Sequence, residues 1–185
     1  MITAYLSLGS NVGDRLEHLM EAEKKLGETG KIKIIQSSRV YETEPWFPVR
    51  SERFSDRSGG PDGRQEGQPA AEKGHSWFLN RVLKIETDLN PLEFLETCEV
   101  VEKAMGRTHK KELKPRRIDI DILLYGDEVV DLPELQVPHR HMNNRQFVLV
   151  PLVELEPGLK DPVTKNLYRL ILQNLEDSHK VTPFL

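Results

Sequence analysis

Two aspartates stand two residues apart in the stretch KPRRIDIDILLYG, residues 114–126. On a strand, side chains alternate with a period of two. Ile118, Ile120, Ile122 and Leu124 then fall on one face, and Arg117, Asp119, Asp121, Leu123 and Tyr125 on the other. Two carboxylates that close repel each other and call for a cation between them. That cation can be an arginine or lysine, or a divalent metal with oxygen ligands. Mg²⁺ suits one or two carboxylates completed by substrate phosphates. Ion pairing with Arg116 or Arg117 on an exposed sheet face is the purely structural alternative, and the aspartate pair alone does not choose between them. From Arg107 to Arg117 there are six Lys/Arg residues against one acid, Glu112. Such a local excess suits a phosphate-bearing ligand; a solvated loop would look the same.

Glu99 and Glu102 form a second group. They lie in the predicted helix NPLEFLETCEVVEKAMG, whose apolar stripe reads Leu92, Leu95, Cys98, Val101 and Met105. Both glutamates project inside the sector of that stripe, and an inward carboxylate is costly unless hydrogen-bonded. They either snorkel at its border or accept hydrogen bonds from a buried polar ligand such as a ribose or an adenine amine. The G-x-x-x-x-G-K-[ST] and G-x-G-x-x-G loops are absent, so any phosphates must be held by Arg, Lys and Mg²⁺.

The elements that must position these groups follow in order. ITAYLSLG alternates as a strand, with Ile2, Ala4, Leu6 and Leu8 on one face. Gly9 reads as a turn and Asn11 as a helix cap. Leu16, Leu19, Met20 and Leu26 mark a helix over about 14–27, closed by Gly27 and Gly30. KIKIIQSSRVYET is a strand bent near Ser37 and Ser38. WFLNRVLKIETDL is another. The next helix has Asn90 as N-cap, Pro91 at its first position and Gly106 past its end. The Asp119 strand, a proline-bounded loop with a helical turn, and a last helix at LYRLILQNL complete the chain. Strand, helix, strand, strand, helix, strand is the order of an α+β, ferredoxin-like antiparallel sheet with helices on one face, plus a C-terminal extension. The uncovered face is free to carry a site.

Residues 47–77 differ from the rest. They hold five of the twelve glycines and three of the twelve prolines, and five basic residues balance five acidic ones. Between Pro48 and Ser76 the large apolar residues are only Val49 and Phe54, too few to offset the entropy of ordering. The segment reads as a long loop inside a single domain spanning 1–185.

The bulk composition excludes more than it selects. A net charge of −4 gives no basis for nucleic-acid binding. The single cysteine, Cys98, excludes an intrachain disulfide and a multi-Cys zinc site. With no signal-peptide pattern and no apolar run of ~20 residues, the expectation is a cytoplasmic protein without membrane contact; it is taken to be a monomer.

SLGSN, YETEPW, FLN, GRTHKKELKPRRIDIDILLYG and VPHRHMNNRQFVLVPLVEL occur in that order. The chain resembles the 6-hydroxymethyl-7,8-dihydropterin pyrophosphokinases of folate biosynthesis, from Met1 to about Leu155. The resemblance implies transfer of pyrophosphate from ATP to the pterin hydroxymethyl group, with release of AMP. It implies that Asp119 and Asp121 hold two Mg²⁺ ions. Arg107 and Arg116 would grip the phosphates, helped by His139 and Arg145, and Glu99 and Glu102 would line the nucleotide pocket. Thr43, Trp46, Phe78, Asn80 and Phe147 would surround the pterin. The chain departs from the family pattern at Leu113 and Lys114, where Trp-Gly is common, at Glu99, where an amide is common, and in the length of the 47–77 segment. Two other readings fit parts of the sequence. Nucleotidyl transfer on nucleic acid needs a basic track that the acidic chain lacks. A non-catalytic nucleotide-binding module would bind ATP without regard to Mg²⁺.

Overall fold

The computed structural model describes residues 1–45, 77–107 and 116–185. Trp46, Leu113, Lys114 and all of the 47–77 segment except Trp77 lie outside the described residues.

The chain runs β1 (Ile2–Ser10), α1 (Arg15–Glu28), β2 (Ile32–Ser37), β3 (Tyr41–Thr43), β4 (Phe78–Thr87), α2 (Pro91–Ala104) and β5 (Asp119–Tyr125). It continues with β6 (Val130–Asp131), β7 (Gln136–Val137), a 3₁₀ turn at Met142–Asn144, α3 (Gln146–Leu155), α4 (Tyr168–Gln173) and β8 (Val181–Pro183). The main sheet is antiparallel in the order β5-β1-β4-β3-β8, with β2 also on β4. β6 and β7 pair separately. The bend expected at Ser37–Ser38 is real. β2 and β3 are two pieces pairing with successive parts of β4. At the break the Ser38 hydroxyl accepts from the Val82 N–H (3.0 Å), standing in for a ladder carbonyl.

α1 and α2 cover one face. Leu19, Ala22 and Leu26 from α1 and Phe94, Cys98 and Val101 from α2 close over Ala4, Leu6, Leu8, Leu83, Ile85, Ile118, Ile120 and Ile122. Asn90 caps α2 in a complete capping box with Glu93. Two core assignments change. Met20 and Leu92 are exposed, and Phe94 takes the central place on α2. The row 94-98-101-105 steps by four, three, four and stays on one line. A row stepping by threes drifts about 60° per step.

The opposite face is not left bare, contrary to the expectation of helices on one face only. α3 and α4 pack there, with Met142, Val148, Leu149, Leu152, Leu155 and Tyr168 against Tyr5, Val82, Leu123 and Leu124. Strict alternation in β5 also fails. The register against β1 shifts between Tyr5 and Leu6, inserting one residue in β5. Leu124 therefore turns to the α3 face, and Tyr125 to the α1–α2 face, where its hydroxyl donates to the Leu89 carbonyl. The bulge lies beyond Asp121, so the two aspartates keep their common face. α3 covers only part of that face, and the remainder opens as a cavity. Among the described residues no helix is long and apolar enough to cross a membrane.

Candidate active site

The cavity has a volume of about 1200 Å³. Its floor is one end of the sheet, where antiparallel pairing brings the end of β1 (Ser7, Gly9) beside the starts of β4 (Phe78, Asn80) and β5 (Asp119, Asp121). Thr43 from β3 and Phe147 from α3 close one side. Arg107, Arg116, His139 and Arg145 ring the aspartates, and the 131–136 segment forms the far wall.

Arg107 and Arg116 are each held by neighbouring residues. Arg107 donates through one terminal nitrogen to both Glu102 and Asp119. Burial works against its cation, but the charges of Asp119 and Glu102 outweigh burial and hold it above its ordinary pKa. Arg116 lies 3.3 Å from the other oxygen of Asp119. Its backbone is clamped by Asn11, whose Oδ1 accepts from the Arg116 N–H (2.9 Å) while the Asn11 N–H donates to the Arg116 carbonyl (3.3 Å). Asn11 is thus not a helix cap; Asp14 caps α1, accepting from the Glu17 N–H.

Asp121 is a strongly perturbed carboxyl. Burial, and then the charge of Asp119, push it up to about 7 against the opposing pull of Arg145 and Arg116. Among the described residues no group of three or more His, Cys, Asp or Glu could cage a metal by itself. The donor set is two carboxylates open to the cavity, which fits Mg²⁺ completed by phosphate and water oxygens.

His139 is pushed down to about 4 by burial and by Arg145 and His141, so it is neutral at pH 7. Its Nδ1 accepts from the His141 N–H (3.3 Å). That bond leaves the ring proton on Nε2, as a donor. Burial also lowers the pKa of Arg145, whose guanidinium lies 5.6 Å over the Phe147 ring.

The other end of the floor is neutral. Asn80 and Thr43 are buried, and Nδ2 of Asn80 donates to Oγ1 of Thr43 (2.7 Å). Gly9 is not a turn. It lies inside β1 opposite Asn80, and a Cβ there would stand 2.7 Å from Asn80 Oδ1. Glycine is required because the amide lies directly over the strand.

The cavity brings together Arg107, Arg116, Asp119, Asp121, His139, Arg145, Thr43, Phe78, Asn80, Phe147 and Glu99. Glu99 is at the rim, with Lys103 at 3.9 Å. Glu102 departs from its expected place. It sits behind the wall, 2% exposed, accepting from the Ile120 N–H (2.7 Å) and from Arg107. Its inward angle serves the arginine and the strand edge. Gly9 and Asn11 were missed as site residues although both lie in SLGSN. Their roles depend on Asn80 and Arg116, 71 and 105 positions away.

The sequence matches the family described as 7,8-dihydro-6-hydroxymethylpterin-pyrophosphokinase (HPPK) over residues 5–60 and 62–157. It is 38% identical over 184 residues to the 2-amino-4-hydroxy-6-hydroxymethyldihydropteridine pyrophosphokinase of Aquifex aeolicus, covering 100% of this chain and 96% of that protein. It is 36% identical over 159 residues to the protein of the same name from Methylorubrum extorquens, covering 86% and 85%. Its fold is similar to that of an HPPK-DHPS solved in complex with substrates, with a TM-score of 0.65 at 17% identity. That match covers 93% of this chain but 43% of the other, so the chain spans less than half of the two-part protein. Sequence matches of this identity and extent place the chain in the 7,8-dihydro-6-hydroxymethylpterin-pyrophosphokinase family.

Proposed function

We propose that the chain transfers the terminal pyrophosphoryl group of ATP to the hydroxymethyl oxygen of 6-hydroxymethyl-7,8-dihydropterin and releases AMP, a step of folate biosynthesis. Family membership supports the reaction. The single observation that carries the reading is the division of one cavity into two ends: a carboxylate pair ringed by arginines, and a buried Asn–Thr pair flanked by Phe78 and Phe147.

The anionic substrate belongs at the first end. Arg107, Arg116 and Arg145 offset charge on the phosphates, and neutral His139 donates through Nε2 to a phosphate oxygen. Asp119 and Asp121 would hold two Mg²⁺ ions, which neutralise charge on the phosphoryl oxygens and orient them when bound. Glu99 lines the nucleotide side, and Glu102 keeps Arg107 aimed.

At the second end Phe78 and Phe147 offer flat apolar faces to a planar heterocycle. Asn80, fixed by Thr43, presents an amide to its hydrogen-bonding edge. Trp46 is assigned here from the family pattern. The hydroxymethyl oxygen loses its proton to water and bonds to the β-phosphorus as the bond from that phosphorus to the α-bridging oxygen breaks, and AMP leaves with the oxygen. Positioning and charge neutralisation account for the catalysis. We read the strand order as ferredoxin-like with a C-terminal extension, and the protein as a single-domain cytoplasmic monomer acting on small molecules.

The test is incubation with ATP, Mg²⁺ and the pterin. AMP is expected to form in step with pterin consumption and to require Mg²⁺. Formation of ADP would point to an ordinary kinase. ATP binding unaffected by Mg²⁺, without turnover, would point to a nucleotide-binding module.

A further inference from the structure

The segment that follows α4 lies beyond residue 157, where the family match ends, yet it reaches both sides of the cavity. On one side it becomes β8 and pairs with β3 in the register Tyr41–Pro183, Glu42–Thr182, Thr43–Val181. The bond from the Glu44 N–H to the Lys180 carbonyl (3.2 Å) and that from the Lys180 N–H to the Glu44 carboxylate (3.1 Å) extend the pairing. Thr43 is the residue that fixes Asn80.

On the other side the same segment meets the start of α3. Asp177 Oδ2 accepts from the Gln146 N–H (2.9 Å). Its Oδ1 accepts from the His179 N–H (3.0 Å) and lies 2.5 Å from His179 Nδ1. The Gln146 amide, with its nitrogen toward this segment, donates to the carbonyls of Asp177 and His179 (3.1 Å each). α3 has no cap of its own: the residue before its first turn is Arg145, which makes no side-chain capping bond. Asp177 supplies the missing acceptor from 31 positions away. Its side chain is 4% exposed, so the bond is shielded from water and holds a definite geometry.

Gln146 stands between Arg145, which faces Asp121, and Phe147, which lines the neutral end. A second carboxylate grips the segment one turn earlier. Asp161 accepts from Asn143 Nδ2 (2.9 Å) while its other oxygen binds the Val163 and Thr164 N–H groups. Residues 143 and 146, on either side of Arg145, are therefore anchored to carboxylates outside the family match.

We propose that Asp177 is a positioning residue: through the Gln146 N–H it fixes the first turn of α3, and so sets Arg145 against the phosphates and Phe147 against the pterin. β8 gives the same segment a hold on the Thr43 wall, so it straps the two sides of the cavity at a fixed spacing. This inference rests on the pyrophosphoryl-transfer reading. It goes beyond that reading by assigning a part in turnover to a residue that lines no part of the cavity.

The test compares the full chain with Asp177→Ala and Asp177→Asn, well below the melting temperature of each. The asparagine keeps an oxygen that can accept from Gln146; alanine does not. Asp177→Ala is expected to lower kcat/KM roughly ten- to hundredfold, the scale of a small misplacement of catalytic groups. The loss should appear as both lower kcat and higher pterin KM, and calorimetry should show weaker pterin binding. Asp177→Asn should recover most of both. A folded Asp177→Ala protein with unchanged kcat, pterin KM and pterin affinity would overturn the proposal and leave Asp177 a stabilising contact. If Asp177→Asn is as impaired as Asp177→Ala, the capping bond is not the cause and the proposal also fails. Absence of AMP formation by the unaltered protein would defeat the functional reading; in that case pterin binding of the variants by calorimetry still decides the positioning role.

Discussion

The two faces of β5 solve opposite problems with neighbouring residues. Ile118, Ile120 and Ile122 disappear under α1 and α2, all at most 4% exposed. Asp119 and Asp121, one residue out of step with them, face the cavity. On the first face these isoleucines make apolar contacts, and stability grows with area buried. On the second, Arg107 and Arg116 engage Asp119, while burial and the charge of Asp119 push the Asp121 carboxyl upward. The core face stabilises the sheet, and the sheet in turn imposes on the other face two neighbouring carboxylates that repel each other. Changes on the two faces should therefore separate turnover from stability.

The largest separation should come from the aspartates. Asp119→Asn or Asp121→Asn removes a charge with little change of shape. Each is expected to lower kcat at least roughly a hundredfold, the scale of losing one transition-state electrostatic contact. Melting temperature without metal should hold level or rise for Asp121→Asn, because like charges no longer face each other. A fall in stability with near-normal turnover would turn the comparison around and make the pair structural.

The mirror-image variant lies across the sheet. Leu83 is fully buried beneath the helices, and Leu83→Ala is expected to cost about 2–5 kcal/mol in denaturant unfolding. Below its transition, kcat should be within about twofold of the parent, since surface removed from the core face touches no reacting group. A large loss of kcat in the folded protein would show that the two faces are coupled through the strand.

Gly9→Ala tests the neutral end. The new Cβ must displace the Asn80 amide from Thr43, so pterin KM should rise roughly two- to tenfold, the value of one hydrogen bond. KM for ATP should not change. An equal change in both constants would mean that the two ends of the cavity do not act separately.

The smallest effect expected is on pH dependence. The Gln146 N–H, His179 and its N–H hold the Asp177 carboxyl below its ordinary pKa, outweighing burial, which acts the other way. A depressed folded pKa stabilises the protein fully above the unfolded value, near 3.8, and the contribution is lost as pH falls through the folded value. Asp177→Ala should therefore narrow its stability gap to the parent as pH drops below about 4. A gap constant from pH 7 to 3 would show that the carboxylate charge is not what binds the strap.

The core face was largely legible in the sequence because alternation and helical spacing are local. The Ile118–Ile122 run, the N-cap at Asn90 and the common face of the two aspartates all follow from neighbours in sequence. The bulge that turns Leu124 and Tyr125 over was not legible, because it is set by the register against Tyr5 and Leu6. Placing α3 on the second face failed for a related reason. QFVLVPLVEL is apolar on nearly every side, so periodicity gave no direction, although α3 buries Val148, Leu149 and Leu152 against the sheet. In the site, residue types were legible and pairings were not. The inward turn of Glu102 could be read, but its engagement with Arg107 and Ile120 could not. β8 has three residues, one a proline, and Asp177 looks like any tail carboxylate until Gln146 is brought to it.

Pyrophosphoryl transfer is distinguished from other chemistry by where the β-phosphorus of ATP goes. A single-turnover reaction with ATP labelled at that phosphorus, the pterin and Mg²⁺ measures it. The label is expected to leave the nucleotide entirely and appear on the pterin with unlabelled AMP, and Asp119→Asn and Asp121→Asn should suppress both products together. Label retained in ADP, or transfer at the normal rate in both aspartate variants, would contradict the assignment of this face as a pyrophosphoryl-transfer site.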